Sequence, residues 1–397
     1  MKIGILSGKI PPPVFIDQLV IGLAIKGHEV FLYGSTHGVK YKSSHKLLII
    51  RNNLENKFIL FFKTCFQIVK VIFNHHEIAF SLLSQIRENG KGFRNYFDRC
   101  SRVLPPFSDN LDIFHIQWPK ALITYTEYIE HLKIPIVLSL RGTQINASPL
   151  ANKLLAKSYR KYFPKVTKFH AVSNAIVKEA EKYGVDSEKV SIINPSVDEK
   201  LLEYPKHERN DEVFKIISVG RCHWIKGYTF ALDAMVQLRN KGVNFHYSII
   251  AGGRDSENII YQINDLGLQK NVSFINGLTH DEALKKMYSS DIYLLPSVGE
   301  GISNTVLESM ALGVPVISTD CGGMGEVIKN GENGFIVPVR DVKAMVRAIE
   351  NFIKLDDKEK LQIIQTAQET IDKRFLLSNQ IDKMELFYRN SIESFSE

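Results

Sequence analysis

Apolar positions along the chain fall into two successive series of short strands alternating with amphipathic helices. In the first series the strands read KIGIL (2–6), HEVFLY (28–33), DIFHI (112–116), IPIVLSL (134–140), KFHAV (168–172) and VSII (190–193). Phe15 to Lys26 read as a helix, with apolar residues at Phe15, Leu19, Ile21, Leu23 and Ile25, and Gly27 closes it. Strand, helix, strand in that order is the βαβ unit of a parallel sheet. A further helical stretch, Lys178–Tyr183, ends at Gly184.

After a polar stretch, EYPKHERNDE (203–212), a second and cleaner series begins. Its strands are 214–220, 245–253, 271–277, 291–297, 315–319 and 334–338, with helices expected at 228–240, 256–266, 280–289, 304–312 and 341–353. At 397 residues the chain exceeds what one hydrophobic core serves. Two such series, joined near Asn194–Asp198, predict an α/β protein of two doubly wound, Rossmann-like domains facing each other across a cleft. The expected domains are 1–195 and 196–375, with a helical tail, 376–397, crossing back onto the first.

Composition narrows the class. Apolar residues at 44% and charged ones at 23% are ordinary globular usage and exclude a disordered, collagen-like or coiled-coil chain. Cys65, Cys100, Cys222 and Cys321 lie far apart without CxxC spacing, which excludes a zinc module or disulfide scaffold and suits a reducing cytosol. No long apolar stretch precedes Pro11–Pro13, so no secretory signal is expected. The most apolar segment, FILFFKTCFQIVKVIF (58–73), is interrupted by Lys63 and Lys70, short of the roughly 20 apolar residues of a spanning helix. A cytoplasmic protein is expected, with a peripheral position on the inner face of the membrane left open.

Charge divides unevenly. Residues 1–195 hold 27 Lys+Arg against 14 Asp+Glu, a net +13, and the remainder holds 23 against 29, a net −6. Such asymmetry suits a first domain facing an anionic partner. No RNA- or DNA-binding signature is present, so no nucleic acid is expected and an anionic membrane surface is the other choice. RENGKGFRNYFDRCSR (87–102) sets Arg87, Lys91, Arg94, Arg99 and Arg102 among Phe93, Tyr96 and Phe97. With 58–73 it suits a protein resting on an anionic bilayer. Equally, 58–73 reads as a buried helix of the first domain.

Cofactor chemistry is unpromising. Only Gly4 and Gly8 follow the first strand, no GxGxxG is present, and no GxxxxGK[ST] occurs. Nicotinamide, flavin and P-loop nucleotide chemistry are therefore not expected, and no metal site is suggested.

Two segments carry the chemistry. In PSVGEGISNTVLESMALGVPVISTDCGG (296–323) a strand ends at Pro296–Ser297 and a glycine-flanked loop sets Glu300 outside its carboxyl end. Ser303 or Asn304 can cap a helix starting near Thr305, with Glu308 one turn inside it. Free N–H groups at that helix start favour an anion, while the two carboxylates suit hydroxyl-rich groups on either side of it. In SVGRCHWIKGYTF (218–230) another strand end delivers Arg221 and, one turn later, Lys226. Together these form a clamp for a diphosphate that needs no metal.

With these motifs in place the chain resembles the family 4 retaining glycosyltransferases of the GT-B fold along nearly its whole length. The resemblance is carried by "SVGR…KG" (218–227), "IIAGG" (249–253), "VSFING" (272–277), "PSVGEGISNTVLESMALGVPVIST" (296–319), "GGMGEVI" (322–328) and "NGENGFIVP" (330–338). In the first half it is carried by "GLAIKGHEV" (22–30), "DIFHIQW" (112–118) and "FHAVSNAI" (169–176). It implies transfer of a sugar from a nucleotide-sugar donor, a UDP- or GDP-sugar, to a glycan or polyprenyl-diphosphate-linked saccharide in bacterial surface polysaccharide biosynthesis. It further implies retained anomeric configuration and no cofactor. By resemblance, Arg221 and Lys226 hold the donor diphosphate, Glu308 the ribose hydroxyls, and Glu300 faces the transferred sugar as the catalytic-centre carboxylate. Gly301, Ile302, Ser303 and Asn304 give backbone contacts to sugar and phosphate, and Gly277, Leu278 and Thr279 form the base-contacting loop. His115 stands in the place of a histidine near the reaction centre, although a lone strand histidine also reads as structural.

Two departures fall where the acceptor should bind. Gly8, Lys9 and three prolines replace the glycine-rich loop after strand one, and Arg141–Gly142 replaces the usual histidine-glycine pair. Gly8, Lys9 and Arg141 are therefore the acceptor-side candidates. The competing readings are a GT-B nucleotide-sugar epimerase and a non-catalytic sugar-binding subunit of a polysaccharide assembly complex.

Overall fold

The computed structural model describes residues 1–36, 41–42, 45–53, 56–89, 92–126, 128–204, 212–253 and 256–396. Lys91 of the basic segment and positions 205–211 of the polar stretch lie outside the described residues. The chain folds as two compact units, Met1–Ile193 with Gln380–Glu397, and Asn194–Asn379.

In the first unit, β1 (Lys2–Ile10), β2 (Glu29–Thr36), β3 (Leu48–Asn53), β4 (Ile113–Ile116), β5 (Ile136–Leu140), β6 (Lys168–Ala171) and β7 (Val190–Ile192) make one parallel sheet in the order β3-β2-β1-β4-β5-β6-β7. In the second, β8 (Phe214–Arg221), β9 (Phe245–Gly252), β10 (Val272–Ile275), β11 (Ile292–Leu295), β12 (Val316–Thr319) and β13 (Phe335–Val337) follow the order β10-β9-β8-β11-β12-β13. Both sheets are doubly wound. β4, β5, β11 and β12 are buried along their whole length, as expected of parallel strands covered by helices on both faces. Strand order reverses between β1 and β4 in one unit and between β8 and β11 in the other. Ligands of such sheets bind outside the carboxyl ends of the strands at this reversal.

Phe114, Leu138, Phe163 and Phe169 centre the core of the first unit. The second has a core on each sheet face, one around Leu232, Met235, Tyr247 and Phe352, the other around Tyr293, Leu307, Met310 and Phe375.

Several elements differ from the pattern expected. β1 does not end at Leu6 but runs to Ile10, with a register slip between Leu6 and Gly8, because Gly8, Lys9 and Ile10 find partners in Gly34, Ser35 and Thr36 of β2. β3, an edge strand that starts in the short apolar run 47–50, adds to the strands expected. The helix expected at 178–183 spans Asn174–Glu181, started by Ser173, whose Oγ accepts from the Ile176 N–H. A helix at Asp357–Arg374 adds to those expected, and Asp356 and Glu359 form its capping box.

The last helix, Leu377–Ser396, packs from Gln380 onward with the first unit. Its Ile381 Cδ1 would lie 2.1 Å from a Cβ on Gly22, so only glycine at that point of the helix Val14–Ile25 allows so close an approach. Lys26 pairs with both Asp382 and Glu385, and the Arg389 and Lys26 hydrogen bonds hold the Glu385 carboxyl down to about 2. Among the described residues no helix is long and apolar enough to cross a membrane.

Candidate active site

β8 delivers Arg221 at its last position, with the side chain exposed. A short 3-10 turn, Trp224–Lys226, follows, and Gly227 then takes φ +66°. A Cβ on Gly227 would lie 2.0 Å from the Pro296 carbonyl oxygen, so only glycine lets this backbone press against the end of β11. The Val298 N–H donates to the Ile225 carbonyl at 2.7 Å across the same junction.

That closeness sets the central geometry. Lys226 Nζ donates to Glu300 Oε1 at 2.6 Å, with each side chain 14% exposed. Ser297 Oγ donates to the same oxygen at 2.7 Å. From the other side Gly322, at φ +59°, brings its backbone so near that a Cβ would lie 2.0 Å from the Glu300 carbonyl oxygen. The Gly323 N–H donates to the Gly301 carbonyl at 2.6 Å. The Glu300 loop, just past the end of β11, is thus confined by glycines that follow β8 on one side and β12 on the other.

The helix Asn304–Ala311 begins one residue before the expected Thr305, with Ser303 at the cap position. Ser303 does not cap with its side chain; its Oγ lies 3.0 Å from Thr305 Oγ1, which in turn lies 2.6 Å from the buried Tyr293 hydroxyl. Gly301, Ile302 and Ser303 are buried and Asn304 half-buried. One turn on, Glu308 is 13% exposed and its Oε1 lies 2.9 Å from His280 Nε2. The Glu308 hydrogen bond raises the His280 pKa.

Gly277, at φ +81°, Leu278 and Thr279 lead directly into His280. Thr279 caps the helix His280–Tyr288 in a capping box with Glu282. The expected base loop and the expected ribose carboxylate are therefore joined through His280, a residue that sequence reasoning passes over. Thr279 with Glu282 three positions on is the readable signal for a helix start there. Tyr228 also escapes the sequence pattern. Its hydroxyl is buried without a hydrogen-bond partner among the described residues, lies 2.9 Å from where a Cβ on Gly220 would sit, and is pushed up in pKa by burial.

In the first unit the acceptor-side candidates converge at the β1/β4 reversal. Ser7 Oγ donates to the Lys9 carbonyl at 2.6 Å, and Trp118 Nε1 donates to the Ser7 carbonyl at 2.8 Å. Gly8, at φ +81°, lies against the Trp118 ring, and Lys9 is exposed. Phe15 meets Trp118 edge to face at 6.0 Å, and the Arg141 guanidinium lies 4.7 Å from the Phe15 centroid. Arg141 Nη2 also donates to Gln117 Oε1 at 3.0 Å, while burial pushes its pKa down to about 10.

His115 is placed otherwise than the resemblance implies. Its ring is 0% exposed, with Nδ1 2.7 Å from the Tyr388 hydroxyl and Nε2 2.8 Å from Ser139 Oγ. Burial, with His170 and Arg141 nearby, drives its pKa well below the usual imidazole value. A neutral ring with both nitrogens engaged ties β4, β5 and the last helix together, and no edge of it reaches the surface.

Two doubly wound sheets, each with its candidate side chains at the point where strand order reverses, are the GT-B architecture. The family description Glycosyl transferases group 1 matches residues 200–370, and Glycosyltransferase Family 4 matches 13–201. The chain belongs to the family 4 glycosyltransferases.

A putative colanic acid biosynthesis glycosyltransferase of Escherichia coli (strain K12) is 26% identical over 70% of this chain and 69% of its own length. A capsular polysaccharide biosynthesis glycosyltransferase of Staphylococcus aureus is 28% identical over 53% of each chain. An N-acetyl-alpha-D-glucosaminyl L-malate synthase of Bacillus anthracis is 24% identical over 70% of this chain and 75% of its own. Among solved structures, a sucrose-phosphate synthase from Thermosynechococcus elongatus superposes with a TM-score of 0.74 at 16% identity, covering 98% of each chain. Anabaena HepE in complex with UDP-glucose gives 0.69 at 16% identity over 98% of this chain and 100% of that one. The structural likenesses show the fold.

Proposed function

We propose that the protein moves a sugar from a UDP- or GDP-sugar to a glycan or lipid-linked saccharide, with retention of configuration, on the cytoplasmic side of a membrane where a bacterial surface polysaccharide is built. The observation that carries this reading is the 2.6 Å contact between Lys226 Nζ and Glu300 Oε1 at the strand reversal of the second unit. It sets a cation and a carboxylate side by side where a diphosphate-linked sugar would lie.

Lys226 gives its remaining ammonium protons to diphosphate oxygens, and Arg221 at the end of β8 offers a planar fork to the same group. Glu300 accepts hydrogen bonds from sugar hydroxyls, Gly301 to Asn304 present backbone groups to sugar and phosphate, and Glu308 accepts from the ribose. Gly277 to Thr279 form the wall for the base. Charge accumulates on the departing nucleoside diphosphate as the glycosidic bond breaks, and donors preorganised there supply the largest rate contribution. This requires no metal or cofactor. Glu300 already accepts from both Lys226 and Ser297, which makes its oxygen a poor nucleophile and suits an orienting role. A donor phosphate oxygen then takes the acceptor's proton on the face the leaving group occupied.

The capsular and colanic acid relatives support a polysaccharide acceptor, and the Anabaena neighbour's UDP-glucose supports a uridine donor. The Bacillus relative is named for L-malate, so acceptor choice is read from this chain's own Gly8, Lys9 and Arg141. The test is to supply UDP-hexoses and GDP-mannose in turn, with and without an acceptor-bearing lipid extract, and to assign the product's anomeric configuration by NMR. A retained product that needs acceptor supports the reading. An inverted product, or a donor epimerised without acceptor, overturns it.

A further inference from the structure

The helix Lys57–Asn74 is apolar on two opposite faces, which a helix at the edge of a domain does not need. One face packs inward through Val71, with Ile68 and Ile72 against the core of the first unit. The other carries Phe58, Ile59, Phe62, Phe66, Val69 and Phe73, each between 46% and 80% exposed. At about 100° per residue these six fall within an arc of about 100°, with Lys70 and Lys63 next along the same side. The segment is therefore a packed helix of the first unit, and its outer side is an apolar stripe edged with lysine.

The stripe continues onto a second element. Phe61 meets Phe62 of the stripe edge to face at 5.8 Å and stacks on Phe97 with centroids 4.9 Å apart, and Phe97 meets Phe93 at 4.6 Å, with Phe93 itself 72% exposed. Those two residues belong to the helix Phe93–Val103, which also bears the exposed Arg94, Arg99 and Arg102. A contiguous aromatic surface of this extent marks an interaction site.

We propose that this surface seats the protein on an anionic phospholipid bilayer, with the phenylalanines in the acyl boundary and the lysines and arginines among the phosphates. Charge selects this occupant. Residues 1–195 carry a net +13, so a second copy would bring a like-charged surface to the same patch, whereas an anionic leaflet is complementary to it. Helices with an apolar face flanked by cations lie in the membrane plane in this way without spanning it. The inference stands apart from the transfer reading, because binding is measured on vesicles without donor or acceptor.

The test is flotation of the full chain with vesicles of equal parts phosphatidylglycerol and phosphatidylethanolamine, against vesicles of phosphatidylcholine alone. Binding to the anionic vesicles is expected to exceed the neutral by about tenfold or more and to weaken with salt. Phe62→Ser with Phe66→Ser removes two exposed rings and lowers anionic binding about tenfold while circular dichroism is unchanged. Arg94→Gln with Arg99→Gln lowers it similarly and flattens the salt dependence. Equal binding to both vesicle types, or binding that the phenylalanine pair does not reduce, overturns the proposal. So does a chain that ignores vesicles but self-associates through Phe62 and Phe66 in light scattering.

Discussion

Lys226 and Glu300, 74 positions apart in the chain, meet at 2.6 Å because glycines at 227 and 322 let the backbones around them close on the end of β11. The ammonium has three protons, so it can hold the carboxylate and a phosphate oxygen together. Removal of one partner, however, leaves the other half-buried without its counter-charge.

Lys226→Ala is therefore expected to act on rate and on fold. Turnover should fall by about two to three orders of magnitude, the usual cost of one preorganised donor at a developing anion. Stability should fall by about 1–3 kcal/mol, since Glu300 keeps only part of its hydrogen bonding. Steady-state kinetics and urea unfolding of the same preparation check both.

Glu300→Gln keeps a group able to accept from Ser297 but removes the charge. The expected outcome is a large loss in kcat with a folded protein. Mass spectrometry of wild type quenched during turnover should find no glycosyl adduct on Glu300. An adduct there would convert the residue from an orienting group into a nucleophile.

The His280–Glu308 contact gives a pH dependence of definite sign. His280 is raised in the folded state, so the pair's stabilisation is complete below the unfolded imidazole value of about 6.5 and fades as pH climbs through the higher folded value. Comparison of melting temperatures for wild type and His280→Gln from about pH 6 to about pH 8.5 should show the gap closing toward the alkaline end. A gap that is constant across this range would remove the charged form of His280 from the account.

Gly227→Ala should be as harmful as loss of a site residue. The added methyl would meet the Pro296 carbonyl at 2.0 Å in a left-handed backbone, so the turn after β8 has to move and Lys226 with it. We expect a destabilisation of about 1–3 kcal/mol together with near-complete loss of turnover. The equivalent change at Gly27, whose Cβ position meets nothing within 4 Å, serves as the comparison for positive φ without a clash.

The second unit is readable because its strands are short, mostly apolar runs that end on polar chemistry, which sets Arg221 at the end of β8 and Glu300 just past the end of β11 from spacing alone. The first is harder. Gly8, Lys9 and the prolines stand where a loop is expected after KIGIL, yet β2 offers partners as far as Thr36 and draws β1 on to Ile10. His280 is illegible because its meaning depends on meeting Glu308 28 positions away, a contact no local pattern encodes. His115 is the opposite case. A strand histidine in a family motif suggests chemistry, but its partners Ser139 and Tyr388 lie 24 and 273 positions distant and enclose it completely. The outward face of Lys57–Asn74 cannot be told from its inward face by hydropathy, since both are apolar.

Calorimetric titration of UDP and GDP into wild type, Arg221→Ala and Lys226→Ala tests the diphosphate clamp most directly. The account predicts that one nucleoside diphosphate binds the wild-type chain without added metal, and that each substitution weakens it by about tenfold or more while the fold persists. Undiminished affinity in both variants, or no affinity for either nucleotide in the wild type, would contradict it.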